Sequence, residues 1–158
     1  MYTLAHVHLI LNHLPIIITG IALLLAAVAA WRRDDYLVRV ALSLLVLAAL
    51  SALPTYLTGE DAEHAVIDMP GVTRELIHDH EDMALIAACV VGALGTFALW
   101  ALWRYRRPVV IPTLLVRATV VGALIGTALM AYTGLLGGEI RHTEVRSGFV
   151  APARGVRE

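Results

Sequence analysis

A helix needs about 20 mostly apolar residues to cross the hydrocarbon core of a bilayer. Four stretches of this chain reach that length: Leu9 to Trp31, Val40 to Thr58, Met83 to Trp103 and Ala118 to Gly138. Within lipid every backbone N–H and C=O must be satisfied inside the protein, so spans of this kind are helical. The fold class expected is therefore all-α, an integral membrane up-down four-helix bundle. It forms one domain over residues 1–158 with a short C-terminal tail. Composition agrees, with 59% apolar and 16% charged residues against about 45–50% and about 25% in soluble domains. An ordinary soluble enzyme is excluded. The first stretch does not read as a cleavable signal peptide, because no Lys or Arg precedes it and His6, His8 and His13 occupy its start.

Charge gives the expected orientation. Arg32, Arg33, Arg39, Arg104, Arg106, Arg107 and Arg117 fall at one end of the spans, and Arg74, Arg141, Arg146, Arg154 and Arg157 at the other. Arginine bias next to span ends marks the cytoplasmic side, which places both termini outside a bacterial inner membrane. Trp31, Trp100, Trp103, Tyr36 and Tyr105 form an aromatic belt at the inner interface. Val109 to Val116, with Pro112, is expected to run along that interface before the fourth span. All but two of the carboxylates, and every histidine, lie at the outer end. The net charge of −1 gives no reason to expect nucleic acid. Cys89 is the single cysteine and excludes an intrachain disulfide.

The two halves of the chain look alike, as in parallel-repeat transporters. One half runs from His13 through Trp31-Arg32-Arg33 to Gly59-Glu60 and His64; the other runs from His80 through Trp103-Arg104 to Gly138-Glu139 and His142. Helices one and three would then be equivalent and diagonal.

Ionisable groups inside a membrane are functional candidates by default. His13 lies inside the first span ahead of Pro15, and at 100° per residue it shares a face with His6 and Gly20. Gly20 would remove bulk below a cofactor. His80 sits above a strip of small residues, Ala84, Ala87, Ala88, Val91 and Gly95, which suits a flat macrocycle or simply close helix packing. His78 points away from His80. Glu139 and His142 form an E-x-x-H pair of the kind found in di-iron and di-manganese bundles, with Glu60, Glu63 and His64 as a partial second copy. Gly122-x-x-x-Gly126 reads as a close helix contact, and Met130 as filler or an axial ligand. No P-loop, dinucleotide fingerprint, C-x-x-C, H-E-x-x-H or nucleophile elbow is present.

The opening His8-Leu-Ile-Leu-Asn12-His13-Leu-Pro15 resembles the H-x4-H-x-P start of a widespread, poorly characterised family of four-span bacterial membrane proteins. Gly137-Gly138 resembles that family's Gly-Gly near the fourth span. Some members are fused to a Rieske-type iron–sulfur domain, which implies electron-transfer company. The resemblance raises His8 beside His13, although the helical wheel sets them about 140° apart.

The leading expectation is a b-type cytochrome with haem near the outer face. His13 and His80 would be axial ligands, His8 and His142 would hold a second haem or gate access, and Gly20 and Ala84 would line the site. It would pass electrons between the quinone pool and a periplasmic redox protein. The rival is a dinuclear Fe, Mn or Cu site from Glu60, Glu63, Glu81, Glu139, His80 and His142. The third reading is a non-catalytic membrane subunit. Lipid is the certain partner, homo-oligomers are left open, and no residue pattern specifies an enzymatic reaction. A reporter active only in the periplasm, fused to the C-terminus, should be active; a reporter active only in the cytoplasm should be silent there.

Overall fold

The computed structural model describes residues 3–149; Arg154, Arg157 and Glu158 of the tail lie outside the described residues. Six α-helices are present: α1 Leu4–Leu11, α2 His13–Arg32, α3 Asp35–Leu57, α4 Gly59–Val66, α5 Arg74–Arg104 and α6 Thr113–Arg141. A single 3-10 turn, Thr143–Val145, follows. Four segments are long and apolar enough to cross a membrane: α1 with α2, α3, α5 and α6. The protein is thus a multi-pass, all-helical membrane bundle.

The helices extend beyond the apolar stretches, because polar turns at the ends satisfy their backbone within the helix and need no lipid. Residues from Arg74 to Asp82 are part of α5, and α6 already starts at Thr113. The expected interfacial run from Val109 to Val116 is therefore shorter, ending at Pro112, whose φ of −61° and extended ψ of 142° lead directly into α6. At the other end of the first span, Pro15 lacks the N–H that would bond back to Leu11. The hydrogen-bond ladder is interrupted there, and Asn12, still in helical geometry (φ −57°, ψ −26°), separates α1 from α2.

Helix α2 packs on α3 and α6, and α5 packs on the same two, so α2 and α5 stand diagonally across the bundle. The interior is built from small residues, including Ala22, Ala26, Ala29, Ala48, Ala87, Ala98 and Ala123, while Leu24, Leu50, Leu99 and Leu114 face outward. Lipid tails are as apolar as leucine, so membrane helices associate by close packing rather than by a hydrophobic drive. Glycines mark the tightest approaches. A Cβ on Gly95 would lie 2.3 Å from the Ala49 Cβ and 3.3 Å from the Leu45 carbonyl oxygen. The Gly122/Gly126 notch receives Leu94 of α5, whose methyl carbons would sit 2.5 and 2.9 Å from added Cβ atoms.

The two halves share a burial register. The spacing of His8 to Trp31 equals that of His80 to Trp103. In that register Pro15, Thr19, Ala26 and Ala29 of α2 fall on Ala87, Val91, Ala98 and Ala101 of α5, all buried. Aligned on Thr55 and Thr133, Ala41, Leu45, Ala48 and Ala52 of α3 fall on Thr119, Ala123, Gly126 and Met130 of α6, again all buried. The pairing of His13 with His80 expected above is corrected here: His8 is the counterpart of His80.

The Arg-rich end is more than a charged anchor. Asp34 caps α3 by accepting from the N–H groups of Tyr36 and Leu37 at 2.9 and 3.2 Å. Asp35 accepts from the Arg39 guanidinium at 3.0 Å and from the Ile111 N–H at 3.0 Å. Arg39 also donates to the carbonyls of Tyr105 and Val109, tying the α5–α6 connection to the start of α3.

Gly92 supplies an internal control for the packing argument, since a Cβ there meets nothing within 4 Å. Gly95→Ala should cost about 1–3 kcal/mol by overpacking, whereas Gly92→Ala should be neutral or gain up to about 1 kcal/mol from helix propensity. Equilibrium unfolding of both variants in the same detergent measures the contrast.

Candidate functional site: a two-histidine cavity

Above the small-residue core the four spans part to leave a cavity of about 850 Å³, with its walls completed by α1 and α4. Its floor is Ala52, Ala87 and Met130, which belong to the upper core cluster with Ala48 and Val91. The strip below His80 thus divides: Ala84, Ala87 and Ala88 line the cavity, while Val91 and Gly95 are buried in helix packing.

Two histidines in the cavity wall are held in the same way. The Nδ1 of His8 lies 2.9 Å from the Thr55 carbonyl oxygen, and the Nδ1 of His80 lies 3.0 Å from that of Thr133. A carbonyl only accepts, so each Nδ1 carries the proton and donates it. In a neutral ring this leaves the lone pair on Nε2.

The local sequence explains why each carbonyl is reachable. Thr55 lies in the last turn of α3, where carbonyls lack intrahelical partners. Thr133 is inside α6, and its carbonyl is approached across Gly137, one turn on. A Cβ at Gly137 would stand 3.0 Å from the Cε1 and 3.2 Å from the Nδ1 of His80. Gly59 holds the matching position beside His8, where a Cβ would sit at 3.9 Å, an ordinary contact. Each half therefore supplies a histidine, a threonine carbonyl and a glycine four residues after it. The repeated Thr-x-x-x-Gly was in the sequence, but only the His8 register makes it visible.

The other candidates separate. His13 lines the cavity as an exposed residue, and its ring makes no hydrogen bond among the described residues. Asn12 beside it has a buried Oδ1 with no hydrogen-bond partner. Gly20 does not line the cavity, and a Cβ there would meet nothing within 4 Å. The reason is that the space closes on the floor residues before reaching its level. Glu139 and His142 do not form an E-x-x-H pair. His142 leaves helical geometry at the end of α6 (φ −106°, ψ 87°), and its Nδ1 lies 2.9 Å from Glu144. Outside the spans, the Glu144 carboxyl is held below the usual carboxylate range by its own backbone N–H and by His142.

Glu60 and Glu63 line the cavity from α4, a separate short helix, while His64 is exposed and outside it. Glu63 of α4 and Glu81 of α5 both line the cavity. Among the described residues no group of three or more His, Cys, Asp or Glu side chains gathers as a metal-holding cluster. His78 is exposed and 3.5 Å from Asp82. His6 lies 2.8 Å from the Thr3 hydroxyl at the start of α1.

The family described as "Predicted membrane protein (DUF2231)" matches residues 5–145, from α1 through the last turn. The chain belongs to the DUF2231 family. No curated protein and no solved structure matches it. In this DUF2231 chain the matched region contains all of the cavity, including both tethered histidines.

Nitrogen NMR of histidine-labelled protein should show His8 and His80 as Nδ1–H tautomers. Gly137→Ala should weaken the hydrogen-bonded Nδ1–H signal of His80 and leave that of His8 in place, because only the His80 ring is displaced by the new methyl group.

Proposed function

We propose that this membrane protein is a b-type haem protein for electron transfer, in which His8 and His80 would hold the haem. The observation that carries the reading is the matched pair of imidazoles, each fixed through Nδ1 to a helix carbonyl with Nε2 left as donor beside a cavity of about 850 Å³. Metal-bound histidines almost always donate their other ring N–H to a carbonyl or carboxylate, which fixes tautomer and orientation. The cavity lies in the range of about 300–1,000 Å³ typical of cofactor sites. Its alanine walls leave room for a flat ligand between diagonal helices, and the glycine at position 137 leaves room for the His80 ring. Neutral imidazoles satisfy haem iron without bringing charge into lipid.

Haem would supply a one-electron redox centre. The chain's own residues do the rest. Thr55 and Thr133 hold the rings in place, the floor of Ala52, Ala87 and Met130 keeps water from the core, and Arg39 braces the opposite end. His8 replaces His13 in this role because His13 lacks any group to set its ring. His13 and His142 are then lining and rim residues rather than ligands. We place the site on the periplasmic side of a bacterial inner membrane with both termini outside, from the arginine bias. The electron partners would be the quinone pool and a periplasmic redox protein, in line with the Rieske-type company of resembling proteins.

The test is the absorption spectrum of protein purified in mild detergent from a haem-sufficient host, before and after dithionite. The expected result is a Soret band that shifts on reduction with resolved α and β bands. His8→Ala and His80→Ala should each abolish the low-spin spectrum, while His13→Ala and Glu139→Gln retain it. A colourless wild-type protein, or haem kept with low-spin bands in both ligand variants, overturns the reading.

A further inference from the structure

At the Arg-rich end, far from the histidine cavity, a second groove of about 310 Å³ lies between the end of α5 and the start of α6. Its lining is apolar and aromatic: Phe97, Trp100, Tyr105, Leu114, Leu115 and Ala118 among them. The aromatic rings form a continuous wall, with Phe97 and Trp100 centroids 6.0 Å apart and Trp100 meeting Tyr105 edge-on at 6.2 Å. The groove's far end is fixed, because Arg39 holds the Tyr105 carbonyl and Asp35 holds the Ile111 N–H.

Charge stands directly beside this apolar slot. The Arg104 guanidinium lies 5.2 Å from the Tyr105 ring centroid. Arg106 and Arg107 follow in the α5–α6 connection, and Arg117 lies in the second turn of α6. Among the described residues none of these four forms an ion pair with a carboxylate, in contrast to Arg39, which Asp35 neutralises. A slot of this size takes part of one acyl chain, not a folded partner. Basic pockets between helices at the membrane surface recognise anionic headgroups.

We propose that this groove is a binding site for an anionic phospholipid, with one acyl chain between α5 and α6 and the phosphate against Arg104. The site is independent of what occupies the histidine cavity. Arg104 supplies the charge and the Phe97–Trp100–Tyr105 wall supplies the shape, so neither a zwitterionic lipid nor a soluble anion satisfies both.

The experiment uses the full chain with Trp31→Phe and Trp103→Phe, leaving Trp100 as the sole indole, reconstituted in vesicles. Quenching of Trp100 fluorescence is compared for phosphatidylglycerol and phosphatidylcholine brominated on the acyl chain. The expected result is a roughly fivefold preference for phosphatidylglycerol, the effect of about one guanidinium at the surface. Arg104→Gln should remove most of that preference, and Ala118→Phe, which fills the slot from an exposed position, should remove it while leaving helicity unchanged. Equal quenching by the two lipids overturns the proposal. So does a preference that survives both variants, which would be general attraction to the basic surface. A preference that falls as the chain is concentrated in the bilayer would mean that a second copy covers the groove, and also overturns it.

Discussion

The histidine-rich end depends on one hydrogen bond made twice, from an imidazole Nδ1–H to a carbonyl of the neighbouring helix. It couples two properties that are otherwise separate. It fixes the tautomer, and therefore which nitrogen can bind a ligand, and it fixes the distance at which α1 meets α3 and α5 meets α6. A side chain at Gly137 would crowd the His80 ring, whereas at the matching Gly59 a Cβ would make only an ordinary contact with His8. An unpaired donor in lipid costs several kcal/mol, so the rings are bound to these carbonyls rather than free to rotate.

A cavity of this size survives in a small bundle because what lies beneath it is packed so closely. Alanine and glycine at the helix contacts bring backbones together and leave few side-chain rotamers to rearrange. Leu94 filling the Gly122/Gly126 notch locks α5 against α6, and the same pair of helices carries His80 and Thr133 at its upper end. Buried Thr19 and Thr119 bond back to their own helices, at 2.8 Å to the Pro15 carbonyl and 2.9 Å to that of Leu115, so the core presents no unsatisfied hydroxyl at these positions. The rigid lower half is thus the reference against which the upper half can stay open.

Much of this was legible from residue order. Hydropathy alone separates the four spans, and a repeated His…Trp-Arg pattern implies two equivalent hairpins. The Gly-x-x-x-Gly notch was also readable. The cavity residues were legible in part, since His8, His13 and His80 all line it. His13 attracts attention because it is deeper and precedes Pro15, but depth does not orient a ring, and the carbonyl that orients His8 is 47 residues away in sequence. Backbone acceptors are absent from any motif. The E-x-x-H pair failed for a related reason. Its geometry presumes a helix through His142, yet α6 ends at Arg141, and Arg146 bonds to the carbonyls of Glu139 and Ile140 and to that of Gly71, drawing the chain back over the helix end. Gly20 is not among the residues that line the cavity, and a Cβ there would meet nothing within 4 Å.

The two halves differ where the difference bears on the cavity. In the register that pairs His8 with His80, Asn12 falls opposite Ala84 and His13 opposite Leu85. One wall therefore carries a buried, unpaired amide oxygen and an unattached imidazole, and its mirror position carries a methyl and an isobutyl group. The acidic α4 helix likewise covers only the first half's side, because α3 stops at Leu57 while its counterpart α6 runs through to Arg141. The ring holders are two-fold and the lining is not. A symmetric occupant would gain nothing from that inequality. A planar ligand with one polar and one apolar edge would be seated in a single orientation, its polar edge toward Asn12 and His13. A buried acceptor without a donor is costly, so the Asn12 oxygen is the point of the lining at which a donor would gain most.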